Sequence, residues 1–427
     1  MAVKTLFFAV LLLVASGFLS GSVREADSST GLSLGCAVGD VLPDGAVVWL
    51  RAEAESEVLV RYSRDPDLKV FAATQAVVVK ETSDFTATLV LRGLEPATVY
   101  HYQGVVVGKE PGPVCKFVTA PRPDSLTDVQ FAFGGCTRES FQPFSIMESI
   151  RVMTPDFFVF MGDTIYADRD GPASKMEEFW SKYVRNRNDG SMQRLLSETS
   201  LYITWDDHEV ANNYDSGHPL APIGQKAFFD YWPIQREPED PNRLYRSFRW
   251  GKAVELFILD ARQYRDPAAR TMLGEKQKKW LLEGLSSSTA QFKFILSSVP
   301  FSSSRTDKWG GFREERREIV GFIARQRIKG VIFLASDVHH AAVSKVPGGE
   351  KFGLKEFIAG PLAGPLNIDI RRKQRKKLEF FSNDALNYGM VRVYAKAQNP
   401  YADITILDVQ NTVLSHTRIP LSATDPE

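Results

Sequence analysis

Four apolar runs in this chain end in side chains able to bind metal. FAFGGCT (131–137) ends at Cys136, and FVFMGDTIYAD (158–168) carries Asp163 and Tyr166. LYITWDDHEVANN (201–213) carries Asp206, Asp207, His208 and Glu209, and VIFLASDVHH (331–340) carries Asp337, His339 and His340. A strand that ends in such a residue lifts it to the edge of a sheet, where open α/β folds gather their ligands. Gly162 permits a sharp turn under Asp163, whose two carboxylate oxygens can bridge two cations. A phenolate from Tyr166 is a hard anionic donor suited to ferric iron. Four ionisable groups directly after LYITW are costly to bury unless they are paired or bind metal. Asp337 and His339, two residues apart, would share one side of a continuing strand, with His340 facing away as a satisfied core histidine. A deprotonated Cys136 completes the donor set. Any one segment could be a capped turn or an ion-pair network. The four together point to a two-metal centre that hydrolyses phosphate esters.

Such residues need a layered scaffold to converge. From Val129 onward apolar strands alternate with the helical stretches SIMESIRVM, KMEEFWSKYVRNR, GQKAFFDYW, GEKQKKWLLEGLS and REERREIVGFIARQRI. YGMVRVYAK and ADITILDVQNTVLSHTRI then read as a closing antiparallel hairpin. This alternation predicts layered α/β (α+β) architecture with two packed sheets. Before it, residues 32–119 read as short alternating strands around the turn Pro43-Asp44-Gly45, and LRGLEPATVYHYQ suggests a Leu-Pro-Tyr corner. That pattern predicts a fibronectin III-like β-sandwich over residues 30–120 serving as an accessory module, joined by a Pro-rich linker at 121–128 to a catalytic domain over 126–427.

The chain has 427 residues and a formal net charge of zero. That length favours two domains, and the balance offers no basic nucleic-acid surface and no polybasic membrane anchor. Lys4, the apolar run LFFAVLLLVASGFL and a small, polar stretch after it fit a secretory signal over residues 1–26. The run is short for a bilayer span, and no later segment would cross one, so a secreted or periplasmic location is expected. Three cysteines leave one without a partner: Cys36 and Cys115 flank the sandwich as a possible disulfide, and Cys136 stands apart. RRKQRKKLEFF (371–381) is a basic run, read as a solvated face.

In their order, GGC, GDTIY, WDDHE and DVHH resemble the motifs of the PhoD-type alkaline phosphatases and related phospholipase D enzymes within the calcineurin-like metallophosphoesterases. LDARQYR, LGEKQKKWL, DKWGGF with Arg316, and the N-terminal GDVLPDGAVVW strengthen the resemblance, which covers nearly everything after the first segment. It implies a four-layer αββα catalytic domain and a centre of ferric iron and calcium that activates water for in-line attack. Carried over by motif, Cys136, Asp163, Tyr166 and His339 would bind iron. Asp163 would bridge to calcium, held also by Asp337 and by Asp206 or Asp207, of which Asp207 is the better match. His208 would act as acid or hydrogen-bond donor beside the phosphate; on position and charge alone, Asn213, Arg138 and Arg262 are candidate phosphate contacts. The implied substrate is a phosphate mono- or diester, with alkaline phosphatase activity the first reading. Diester hydrolysis in the same site, as in a phosphodiesterase or phospholipase D, is the nearest alternative, and a non-catalytic metal-binding surface protein is a more distant one. Two departures stand out: a lone Lys4 where secreted relatives often carry twin arginines, and Ser336 where the last motif usually has glycine.

Overall fold

The computed structural model describes residues 29–368, 375 and 378–424, so the expected signal segment and most of the basic run lie outside the described residues. The N-terminal strands are β1 (Leu32–Gly39), β2 (Gly45–Ala52), β3 (Ser56–Ser63), β4 (Ala72–Ala73), β5 (Val77–Val79), β6 (Thr86–Arg92), β7 (Val99–Val106) and β8 (Cys115–Val118). β1, β2 and β6 pair on one side, and β4-β3-β7-β8 with β5 form the other. Alternating apolar residues such as Val48, Leu50, Val58, Val60, Leu89, Leu91, Tyr102 and Phe117 fill the space between them. The hydroxyl of Tyr100 accepts from the Glu95 N–H at 3.0 Å, which makes the expected corner.

Among the described residues, the remaining chain completes two sheets and adds six α-helices. First come β9 (Val129–Gly134), α1 (Ser145–Val152), β10 (Phe157–Met161), α2 (Met176–Arg187), α3 (Gly190–Glu198), β11 (Ser200–Thr204) and α4 (Ala221–Tyr231). Then follow β12 (Arg246–Trp250), β13 (Val254–Ile258), α5 (Gly274–Ser287), β14 (Phe292–Leu296), α6 (Arg313–Arg325), β15 (Val331–Ala335), β16 (Ala341–Lys345), β17 (Lys355–Ile358) and β18 (Phe380–Ser382). The chain closes with β19 (Asn387–Tyr394), β20 (Tyr401–Asp408) and β21 (Val413–Pro420). The first sheet runs β21-β20-β19-β9-β10-β11-β1-β2-β6 and the second β12-β13-β14-β15-β17-β16-β18. Their inner faces share one buried core, where Phe131 stacks on Phe157 and meets Phe294 edge-on across the layers. The outer face of the first sheet packs on α1–α4 and that of the second on α5 and α6. This is the expected αββα layering.

Three features differ from the sequence reading. The C-terminal strands form a three-stranded meander instead of a hairpin, because the turn at 409–412 returns the chain for a third pass. Helix α3 was not anticipated; it is short, and its start is set by Asp189, whose carboxylate accepts from the Ser191 and Met192 N–H groups. The sandwich is more than an appendage, since Gly39 of β1 bridges Leu201 of β11 in parallel and so continues the catalytic sheet. Trp49 ties it further, donating its indole N–H to the Asp230 carbonyl at 2.7 Å and lying 4.1 Å under the Arg187 guanidinium.

Gly389 of β19 sits opposite Phe133 of β9, and a Cβ there would meet the Phe133 ring at 1.9 Å. Gly389→Ala is therefore expected to destabilise the protein by about 1–3 kcal/mol, the usual cost of overpacking. Urea unfolding would register this as a lower midpoint.

Candidate metal centre

The parallel strands β9, β10, β11 and β15 all finish at the same end of the two layers. The residues just beyond them adopt the left-handed backbone that non-glycine residues seldom take: Cys136 (φ 68°), Asp163 (φ 51°), Asp337 (φ 65°) and His339 (φ 56°). Sparsely populated backbone of this kind gathers at functional sites. It also corrects the sequence reading of Asp337 and His339. β15 ends at Ala335, and a left-handed turn, not strand alternation, brings the two together. Gly162 (φ 89°) is needed beneath Asp163, because a Cβ would lie 2.7 Å from the Asp206 nitrogen.

One half of the site is soft and mixed. Ligand atoms of Cys136, Asp163 and His339 lie within 4.8 Å of one another. The Cys136 Sγ is 3.4 Å from Asp163 Oδ2, and the Tyr166 hydroxyl is 3.4 Å from that same oxygen and 2.9 Å from His339 Nε2. His339 is oriented through Nδ1, 2.6 Å from the Pro365 carbonyl. Burial, reinforced by Asp163, pushes the Cys136 thiol well above its ordinary pKa; burial, with Cys136 and Asp163, does the same to the Tyr166 phenol. The Ser336 hydroxyl lies 3.8 Å from the Cys136 sulfur, packed between Gly135 and Gly360. The serine thus fits without displacing the thiol.

The other half is acidic: carboxylates of Asp163, Asp206, Asp207 and Asp337 also come within 4.8 Å of each other. Asp206 Oδ1 accepts from Arg262 Nε at 2.5 Å and Ser298 Oγ at 2.9 Å, while its Oδ2 is buried with no hydrogen-bond partner among the described residues. Asp207 Oδ2 accepts from the Asn213 N–H at 2.6 Å, and its Oδ1 is likewise buried without a hydrogen bond among the described residues, 3.7 Å from the Arg262 guanidinium. Burial, opposed by Arg262 but helped by Asp207 and Asp337, pushes Asp206 up to about 7. Burial acts against the charge on Asp207 too, yet Arg262, His208 and Lys308 hold it below the usual range. Lys308 donates to Asp337 Oδ2. Beneath both halves Glu209, fully buried, accepts from the N–H groups of Asp163, Thr164 and Asp206 and from the Thr164 hydroxyl.

His208 lies flat on Tyr166, ring centres 4.3 Å apart, with Nδ1 2.6 Å from Asp168 Oδ1. Burial would lower its pKa, but Asp163, Asp168 and Asp207 raise it to about 10. A cleft of about 270 Å³ opens over the site, lined by Asp207, His208, Asn213, Lys308, Asp337 and His339 among others. Arg262 is not at this surface; it is completely buried and serves Asp206 from behind. Arg138 does not line the cleft; it lies 6.0 Å from the Tyr166 ring centre and is paired with Asp170. Arg316 donates to the Phe301 and Ser303 carbonyls, and His340 donates its Nδ1–H to the Val338 carbonyl and packs on Phe381, as a core histidine. Asp168 and Lys308 carry no role in the sequence reading, and Glu209, grouped there with the candidate metal donors, instead holds the turns under the site. The charged type of Lys308 beside Trp309 in DKWGGF was the available signal. Far from the cleft, the Cys36 and Cys115 sulfurs lie buried 2.7 Å apart.

A two-cation centre suits this donor set. A buried thiol, phenol and imidazole face one side, carboxylate oxygens without hydrogen bonds among the described residues face the other, and Asp163 is common to both.

The chain is similar in sequence and fold to known phosphatases. A family model described as PhoD-like phosphatase matches residues 131–403, and another, described as PhoD-like phosphatase, N-terminal domain, matches residues 19–121. Alkaline phosphatase D of Bacillus subtilis (strain 168) is 25% identical over an alignment covering 75% of this chain and 66% of that protein, just under two thirds of its length. A solved structure titled "Structure of PhoD" superposes with a TM-score of 0.81 at 22% identity, over 94% of this chain and 92% of its own. The purple acid phosphatase PPD1 from yellow lupin (Lupinus luteus) seeds shares the fold at 12% identity, with a TM-score of 0.65 over 90% of this chain and 74% of its own.

Proposed function

This chain belongs to the PhoD-like phosphatase family, and we propose that it is an exported hydrolase of phosphate esters, acting on monoesters at a ferric iron and calcium centre. The observation that carries this reading is the sharing of Asp163 between two donor sets of different chemistry. In it, Cys136, Asp163, Tyr166 and His339 hold the trivalent ion, and Asp163, Asp207 and Asp337 hold the calcium. Asp207 is preferred to Asp206 because it lines the cleft, whereas Asp206 is committed to Arg262 and Ser298. When bound, two such cations supply Lewis acidity toward phosphoryl oxygens and lower the pKa of water.

The chain's own groups do the rest. Protonated His208, held by Asp168, faces the cleft and donates a proton or hydrogen bond to an ester oxygen. Asn213 fixes Asp207 through its backbone N–H and offers its side chain to the phosphate. Arg138 beside Tyr166 and buried Arg262 have distinct parts: the first reaches substrate on leaving Asp170, and the second balances charge behind the carboxylates. Export rests on the apolar N-terminal run read in the sequence. Among the described residues no helix is long and apolar enough to cross a membrane.

Turnover of p-nitrophenyl phosphate against bis-p-nitrophenyl phosphate, before and after chelation, tests the function. Monoester turnover that chelation removes is the expected result. Preference for the diester would move the assignment to a phosphodiesterase, and tight metal without turnover of either would move it to an inert binding protein.

His208 provides a pH test. Its raised pKa keeps it charged through neutral pH, so its contribution is lost as pH rises through that value. Without metal its pKa is raised to about 10; bound cations would offset the charge of Asp163 and Asp207 and bring the limb lower. Asp168→Asn removes a further raising partner. The alkaline limb of the kcat profile should therefore move down by about one unit, with kcat reduced about 10–100-fold. An unmoved limb would remove Asp168 from the account.

A further inference from the structure

The calcium half of the centre already contains a cation. Lys308 follows Asp307 in the loop between β14 and α6 and is 5% exposed. Its ammonium donates to Asp337 Oδ2 and lies 3.7 Å from Asp307 Oδ2. It lines the same cleft as Asp207, His208, Asn213 and His339. Arg262 approaches the four carboxylates from the buried side and takes Asp206. Lys308 approaches from the cleft side and takes Asp337. The acidic cluster is therefore part-neutralised from both directions by the chain itself.

A carboxylate oxygen committed to an ammonium cannot give the same lone pair to a calcium ion. A divalent cation at hydrogen-bond range from that ammonium would also repel it strongly in a site sheltered from water. We propose that Lys308 is a resident competitor for the second cation, so that calcium enters this chain only by displacing the ammonium from Asp337. Displaced into the cleft, the ammonium is placed to contact a phosphoryl oxygen as a point charge. Calcium binding is thereby weakened relative to the same site with a neutral residue at 308, while the iron half, which Lys308 does not touch, is unaffected.

The inference rests on the two-cation reading above, and the test separates the two. Iron-loaded protein would be titrated with calcium calorimetrically, with iron counted in the same samples, for the wild type, Lys308→Met and Lys308→Arg. Lys308→Gln replaces Lys308→Met if the latter does not fold. The neutral variant should bind calcium at least tenfold more tightly at unchanged iron content, and Lys308→Arg should stay within a few fold of the wild type. Equal or weaker calcium binding by the neutral variant, with iron retained, would overturn the competition and leave the centre standing. Absence of both metals from every sample would overturn the centre and the competition with it.

Discussion

Asp163→Asn is expected to lower turnover by at least about 10³-fold and to release metal from both halves of the site. The two effects should coincide because one carboxylate serves both donor sets. An amide keeps the shape but loses the charge and the ability to bridge. The substitution is a clean one for the backbone. Asp163 has φ 51°, and asparagine tolerates the left-handed region as well as aspartate does. The Asp163 N–H can still donate to Glu209. Thermal unfolding of the metal-free protein should therefore change little while iron content and kcat collapse. Full activity with metal retained would sink the assignment of Asp163.

The second large effect is structural. Glu209→Ala should destabilise the metal-free chain by at least about 3 kcal/mol, counting about 1–3 kcal/mol for each buried donor left without a partner. Three backbone N–H groups and the Thr164 hydroxyl lose their acceptor together. Those groups belong to the turns carrying Asp163 and Asp206, so metal affinity should fall with stability. Guanidinium unfolding of the metal-free protein measures this directly. A change below about 0.5 kcal/mol, the range of an ordinary surface substitution, would show that Glu209 does not hold the turns.

Much of this arrangement was legible before any coordinates, and the reason is local. An apolar run that stops at Asp, Cys or His announces both a strand and the side chain at its tip, so the segments carrying Cys136, Asp163, Asp206, Asp207, Asp337 and His339 stand out by spacing, whereas Asp207 over Asp206 is what the family resemblance implies. The layering followed from strands alternating with amphipathic helices. What escaped depends on long-range returns of the chain. Lys308 reaches Asp337 from a loop 29 residues earlier, and Asp168 meets His208 across 40 residues. No periodicity encodes either approach. The same holds for β1, whose junction with β11 rests on one bridge between Gly39 and Leu201. Arg262 was misjudged for a different reason: position and charge suggested a phosphate contact, but its burial behind Asp206 makes it a counter-charge to the carboxylates. The left-handed turns at the strand ends were equally hidden, since only Gly162 flags unusual backbone in the sequence.

The visible spectrum of the purified protein, taken with iron counted in the same sample, tests the central claim most directly. Tyrosinate bound to ferric iron absorbs visible light by charge transfer. The expected result is a coloured, active protein with about one iron per chain, as one Cys136–Asp163–His339 donor set implies, and loss of the colour in Tyr166→Phe. A colourless protein that holds iron and turns over phosphate esters would contradict Tyr166 as a ligand and the convergence of these strand ends on one ferric ion.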